Sequence, residues 1–310
     1  MVSEDRFAFD VQKMNIQIYL KVFRIDHWIK NVFTLIGAFG AIFINDVNHS
    51  MLLYFDVVLA FLLSCFISSV NYVVNEILDS SFDALHPTKK HRPIPSGKVS
   101  LYKLVVSALM LLIITFTVSV ALFDRPFNLS LLALFAAGMI YNIRPVRAKD
   151  IPFIDVISES INNPIRLFIG WYAVRTALPL PPLDVIVFFW ALGAFLMTAK
   201  RIAELKLLDK HNSTLYRPTF KYYSVKNLSA AFISYAVVSI LTFVCICFRH
   251  EHVLFYSVPF YLIFIVWFLK LTYEKESIVM DPEHIYKRPL FFSYVVFCCL
   301  FTFLSLVTHG

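Results

Sequence analysis

Nine apolar runs divide this chain, at about 32–49, 52–73, 101–123, 128–142, 151–174, 183–199, 228–248, 253–271 and 290–307, each set off from the next by polar residues. A helix that crosses a bilayer needs about 20 mostly apolar residues. The pattern therefore predicts an all-α polytopic membrane protein, a bundle of nine transmembrane helices. The runs at 32–49, 128–142 and 183–199 are purely apolar over little more than a dozen residues, less than a span needs. Ahead of the first run, residues 12–31 mix apolar positions with Lys13, Lys21, Arg24 and Lys30. That mixture predicts an amphipathic helix lying in the membrane interface. Lipid offers no partner for open backbone groups, so the embedded segments are expected to be helical throughout.

The positive charges give an orientation, because Lys and Arg in short loops gather on the cytoplasmic side. With nine spans, 24 of the 28 fall on the N-terminal segment and the even loops, Arg125, Arg175 and Arg249 fall on the other side, and Arg166 lies inside a span. The expected topology has the N-terminus cytoplasmic, the C-terminus on the opposite side and a polar cavity opening to the cytoplasm. The first thirty residues are charged throughout and lack the apolar core of a cleavable signal peptide. No linker or charge block is long enough to divide the chain, so residues 1–310 are read as one domain, with 1–31 as its cytoplasmic amphipathic segment.

Composition adds the class. The chain is 59% hydrophobic, holds 32 Phe and only 7 Gly, and has a mean hydropathy of +0.70, far outside the range of soluble domains. Its net charge of +7 reports orientation and anionic headgroups, and no nucleic-acid partner is expected. Cys65, Cys245, Cys247, Cys298 and Cys299 all sit in apolar runs, without zinc-ligand spacing or a disulfide framework.

Two polar stretches break this apolar pattern. In residues 71–97, Asn71, Asn75, Asp79 and Asp83 recur every fourth position. Four residues of α-helix turn about 400°, so these groups form one ladder on one face. Carboxylate and amide oxygens so arranged, with Glu76 beside them, suit Mg²⁺, which is commonly held by one or two carboxylates together with substrate phosphates. His86, Lys89, Lys90, His91 and Arg92 follow at once and supply donors for phosphate oxygens. The plain alternative is a solvated loop marking the cytoplasmic side.

In residues 141–166, Asp155, Glu159, Asn162 or Asn163, and Arg166 share a single helical stripe, with Arg147, Lys149 and Asp150 at its mouth. Charged groups inside a span are unfavourable unless they face a cavity or one another. An ion pair between Glu159 and Arg166 is the structural reading of part of this cluster. Two acidic clusters on one membrane face, each beside basic residues, suggest a diphosphate bound through Mg²⁺ from both sides. Metal and Lys/Arg neutralise the charge that builds on such a leaving group. Lys200, Arg201 and Glu204, with Tyr222 and Tyr223, are candidate lid contacts, or else an ordinary basic loop. Trp28, Lys30 and Asn31 fit an interfacial anchor or a contact to a lipid headgroup phosphate.

The segment NYVVNEILDSSFD resembles the first Asp-rich motif, N-D-x-x-D-x-x-x-D, of the UbiA superfamily of membrane prenyltransferases: Asn75, Asp79 and Asp83 match, and Glu76 stands where Asp is usual. WIKN at 28–31, HPTKKHRPIPSG at 86–97, Lys149 with Pro152 and Asp155, and AKRIAE at 199–204 are most similar to the branch containing decaprenyl-phosphate phosphoribosyltransferase. RPVRAKD and SESINNPIR are richer in charge and amide than that branch leads one to expect. The resemblance, which covers nearly the whole chain, implies nine transmembrane helices and a Mg²⁺-dependent transfer of phosphoribose from phosphoribosyl pyrophosphate to a polyprenyl phosphate. It implies that Asn75, Asp79 and Asp83 bind metal and pyrophosphate, that Lys89 and Arg92 contact phosphates, and that Tyr141, Lys149 and Asp155 form the second wall.

The site set is then Asp79, Asp83, Asp155 and Lys149 for catalysis, and Asn75, Glu76, Asp79 and Asp83 for metal. Asn71, Lys89, Arg92, Tyr141, Arg147, Glu159, Asn163, Arg166, Lys30, Lys200 and Arg201 are assigned to substrate. A polyprenyl lipid, a diphosphate-containing donor and membrane lipid are the expected partners, with self-association left open. Prenyl transfer to an aromatic or other acceptor is the alternative enzyme. Phosphoribosyl pyrophosphate carries an extra phosphate, and the basic groups at 86–92, 144–149 and 200–206 lean toward it. A transporter is a third reading; such sites sit near the bilayer midplane, whereas these acids crowd the ends of spans.

Overall fold

The computed structural model describes residues 17–45, 47, 50–84, 89–174, 178–207, 218–250, 252–274, 279 and 287–309. Its helices in chain order are α1 Val32–Ile44, α2 Met51–Asp83, α3 Leu101–Leu122, α4 Arg125–Asn142, α5 Ile154–Ser160, α6 Asn162–Trp171, α7 Leu183–Leu207, α8 Val225–Arg249, α9 Val258–Thr272 and α10 Pro289–His309. Local chemistry starts several of them. Ser100 accepts from the Lys103 N–H at the head of α3, Pro126 stands in the first turn of α4, and Ser224 with Asn227 forms a capping box on α8.

Among the described residues, seven stretches are long and apolar enough to cross a membrane: Gln17–Ile44, Met51–Ser81, Leu101–Leu122, Leu183–Lys206, Val225–Arg249, His252–Thr272 and Pro289–Thr308. Two of the nine expected runs fall short. The run at 128–142 forms α4, whose 18 residues begin with Arg125 and Asn128 and end on Asn142. The run at 151–174 is broken after Ser160. Pro164 has no N–H for the Ser160 carbonyl four residues back, and the Ser158 and Ser160 hydroxyls bond to the carbonyls of Ile154 and Val156 instead. At the N-terminus, the amphipathic segment is continuous with the first span from Gln17 onward. A 3-10 stretch at Ile25–Asn31, entered through Arg24 in the left-handed region at φ 48°, bends it. Residues 12–16 lie outside the described residues.

The outside of the bundle is its apolar side. On α3, Met110, Ile113 and Val120 are 57%, 64% and 69% exposed, while Thr115 and Ser119 are fully buried. Such an arrangement suits hydrocarbon rather than water as the surrounding solvent. Inside, one aromatic core joins Phe195, Phe232, Phe268 and Phe291 from α7 to α10, with Phe195 stacked on Phe232 at 4.5 Å between ring centroids. A second gathers Leu63, Ile67, Phe127 and Leu131 from α2 and α4. Small residues bring α1 and α6 into backbone contact. Gly37 lies against the Leu167 carbonyl, and Gly170 against the Thr34 carbonyl, so closely that neither position has room for a Cβ.

That contact gives a first test. Gly170→Ala forces a methyl into backbone and is expected to destabilise the protein by about 1–3 kcal/mol, as overpacking does, seen as a lower thermal midpoint in detergent. Gly40→Ala is the control, because its Cβ would meet only Trp171 at an ordinary 3.8 Å, and it should leave the midpoint unchanged.

Candidate active site

The α2 ladder meets the turn after α4. Lys149, on the 3-10 turn Ala148–Asp150, is 6% exposed, and its ammonium lies 3.0 Å from Asn75 Oδ1, 2.7 and 2.8 Å from the two oxygens of Asp79, and 3.0 Å from Asn142 Oδ1. Arg147 donates to Asp79 Oδ1 at 2.9 Å and pairs with Asp150 at 2.7 Å. Its backbone sits at φ 38°, a left-handed conformation that L side chains disfavour and that often marks functional turns. Burial pushes the Lys149 ammonium below the ordinary lysine range; Asp79 opposes that shift and Arg147 adds to it. Asp79 therefore offsets part of the penalty of burying this cation.

The remaining acids of the ladder face another wall. Asp83 takes a 2.5 Å hydrogen bond from Arg92, and Glu76, fully buried, accepts from the Ile94 N–H at 3.5 Å. The expected metal set thus divides, with Asn75 and Asp79 toward Lys149 and Glu76 and Asp83 toward residues 92–94. Four side-chain oxygens around one ammonium are the donor chemistry a hard cation takes. Among the described residues no three His, Cys, Asp or Glu gather into a site of their own. The set fits a Mg²⁺ held by few carboxylates and completed by phosphate oxygens. His86 lies outside the described residues, as does the side chain of Lys89.

Asp155, expected on the pocket wall, is fully buried. One of its oxygens takes a 2.8 Å bond from Arg201 Nε and the other a short bond from the Tyr223 hydroxyl. Arg201, 1% exposed, also pairs with Glu204 at 2.7 Å. Neither Arg201 nor Tyr223 is a lid residue; both belong to the interior, and only Tyr222 is exposed at 62%. Burial, then the Asp155 charge, pushes the Tyr223 phenol far above its usual range, so it stays a neutral donor. The same hydroxyl accepts from the Phe153 N–H at 2.7 Å. Phe153 sits at φ 62°, and this bond together with Asp155 pins the strained end of the turn that carries Arg147 and Lys149.

Arg166 does not pair with Glu159. It reaches Asn31 Oδ1 at 2.8 Å, while Glu159 takes a 3.4 Å bond from Asn162. Asn31 is no interfacial anchor: it is fully buried, and its Oδ1 also accepts from Ser64 and Ser68 at 3.0 and 2.9 Å. Trp28 is likewise tied inward, donating to Ser69 at 2.9 Å. Asn71 donates to the Leu134 carbonyl at 3.0 Å and abuts Gly138. Asn163 abuts Gly193, Lys30 lies 3.2 Å from His27 Nδ1, and Tyr141 and Lys200 are half-buried. Asn142, Ser64 and Ser68 were not anticipated. Ser64 and Ser68 extend the α2 ladder toward the N-terminus, joined to Asn71 by a three-residue step, so that Ser64, Ser68, Asn71, Asn75 and Asp79 fall within roughly 80° of arc.

Comparison with known proteins places this geometry. The family model described as the UbiA prenyltransferase family matches residues 32–279. A decaprenyl-phosphate phosphoribosyltransferase of Corynebacterium glutamicum is 28% identical over 236 residues, 70% of this chain and 66% of that one. The nodulation protein NoeC of Azorhizobium caulinodans is 26% identical over 201 residues, 64% of this chain and 61% of that one. This chain thus spans slightly less than two thirds of the length of these curated relatives. Among solved structures, a UbiA homolog from Archaeoglobus fulgidus bound to GPP and Mg²⁺ shares the fold, with a TM-score of 0.68 at 15% identity, covering 94% of this chain and 99% of that one.

Tyr223→Phe removes the hydroxyl that bridges Phe153 and Asp155. The loss of two hydrogen bonds, one of them charged, is expected to destabilise the protein by about 2–4 kcal/mol, read as a lower thermal midpoint in detergent; an unchanged midpoint would show that the turn does not depend on it.

Proposed function

The chain belongs to the UbiA prenyltransferase family, and from that premise we propose that it is a Mg²⁺-dependent membrane transferase that moves phosphoribose from phosphoribosyl pyrophosphate to a polyprenyl phosphate. The observation that carries this reading is the Lys149 ammonium enclosed by Asn75, Asp79 and Asn142 with Arg147 beside it. Two cations on one carboxylate, Lys149 and Arg147 on Asp79, suit a ligand with several phosphates. The relatives named as decaprenyl-phosphate phosphoribosyltransferases support the choice of donor and acceptor.

In this reading Asn75, Asp79 and Asp83 hold Mg²⁺ together with the donor's diphosphate, and the metal supplies charge neutralisation of the leaving group. Lys149 and Arg147 move from Asp79 onto phosphate oxygens, where an ammonium serves as a point charge and a guanidinium as a bidentate fork. Arg92 turns from Asp83 to the same group. A phosphate oxygen of the lipid forms a bond to C1 of the ribose as the C1–O bond to pyrophosphate breaks, and pyrophosphate leaves with that electron pair. Asp155, Arg201 and Tyr223 act at one remove, by fixing the turn that carries Arg147 and Lys149. The apolar surround keeps water from the electron-poor C1.

Purified protein incubated with Mg²⁺, polyprenyl phosphate and labelled phosphoribosyl pyrophosphate should form a labelled lipid, and Asp79→Ala should reduce turnover by at least about 10²-fold, the scale of losing one well-placed charge-stabilising group. Labelled acceptor formed only from a prenyl diphosphate would overturn the choice of donor. Full activity of Asp79→Ala would show that the ladder is structural.

A further inference from the structure

Among the described residues, Arg166 is a cation with no anion paired to it. The side chain is 7% exposed, and its one hydrogen-bond partner among the described residues is the neutral Asn31 amide oxygen, met by Nε. Its two terminal nitrogens have no partner among the described residues. Glu159, on the preceding helix α5, turns to Asn162, and Asp155 is taken by Arg201 and Tyr223. A neutral side chain would pin α6 to α1 equally well without burying a charge, and burying an uncompensated charge is strongly unfavourable. The charge itself therefore needs a counterpart that binds.

The setting is rigid and polar. Gly37 and Gly170 lock α1 against α6 at backbone contact, which fixes Asn31 relative to Arg166. Asn31 Oδ1 is held from α2 by Ser64 and Ser68, so the Nε contact aims the guanidinium and leaves its fork of terminal N–H groups free, a geometry that matches a phosphate. Ser68 lies about 10 Å along α2 from Asn75 at 1.5 Å per residue, on the same stripe. Between them the Asn71 Oδ1 is buried and has no hydrogen-bond partner among the described residues.

We propose that Arg166, aimed by Asn31, is a second phosphate subsite, separate from the Asp79–Lys149 subsite and taking a phosphate monoester. This rests on reading the protein as a transferase with two phosphate-bearing substrates. The monoester comes either from the acceptor lipid or from the 5-position of the donor sugar, and the two share one chemistry at this guanidinium.

The test is direct binding in detergent with three probes: farnesyl phosphate, ribose 5-phosphate and Mg²⁺-pyrophosphate, with farnesol as the control for the lipid tail. Asn31→Asp keeps the shape of the amide and places a carboxylate on Arg166, satisfying the charge internally. We expect it to fold and to weaken one of the two monoesters by about tenfold or more, the scale of a lost charged hydrogen bond, while Mg²⁺-pyrophosphate binds as in the unmodified protein. Arg166→Met should show the same loss and Arg166→Lys a smaller one. The monoester that is lost identifies its source. Unchanged binding of both monoesters in Asn31→Asp, or no binding of either by the unmodified protein, overturns the subsite. Failure of the transferase reading has a different signature: Mg²⁺-pyrophosphate does not bind, yet Asn31→Asp still weakens a monoester.

Discussion

The site is organised by one interaction, the ion pair between the buried Lys149 and the half-buried Asp79. It joins α2 to the turn after α4 across seventy residues of chain. A lysine placed there without its carboxylate would have its charged form disfavoured further by burial, and the carboxylate without its lysine would stand as an unpaired anion beside a membrane interior. Asn75 and Asn142 fill the remaining donor directions. The pair is strong enough to set the geometry in the absence of ligand. A multivalent anion accompanied by a divalent cation can still replace it, because that combination offers each partner a new charge of the proper sign.

Everything nearby serves to hold the turn that carries Lys149. Arg147 and Phe153 both adopt left-handed backbone conformations, which fold the chain back within a few residues. Tyr223 bridges the Phe153 N–H and Asp155, and Arg201 completes the anchor from α7. A fully buried arginine paired with two carboxylates is a rigid element, since its guanidinium has fixed directions. The division of labour follows: Asp79, Lys149 and Arg147 make up the exchangeable layer, and Asp155, Arg201, Glu204 and Tyr223 make up the frame behind it.

Much of this was legible in the chain. The four-residue recurrence of Asn71, Asn75, Asp79 and Asp83 is a local property of a helix, so periodicity alone finds it. The apolar runs gave the helices, but Pro164 and the back-bonding serines broke one run in two, which hydropathy does not register. The partners of the charged groups were mostly hidden, because they come from distant chain: Arg166 meets Asn31 across 135 residues, and Tyr223 meets Asp155 across 68. Within the α5–α6 stripe, spacing suggested Glu159 for Arg166, and tertiary packing chose otherwise. Ser64 and Ser68 escaped notice because hydroxyls are common in membrane helices; only their register with Asn71 marks them.

The central claim is that Lys149 and Asp79 act as one exchangeable unit on the diphosphate, and a double-mutant cycle on Mg²⁺-pyrophosphate binding tests it most directly. Asp79→Asn, Lys149→Met and the double variant would be titrated beside the unmodified protein by calorimetry. Strong coupling is expected: each single change weakens binding, and the double variant is no weaker than the worse single, a coupling of about 1 kcal/mol or more. Losses that simply add, or single variants that bind as the unmodified protein does, would contradict it.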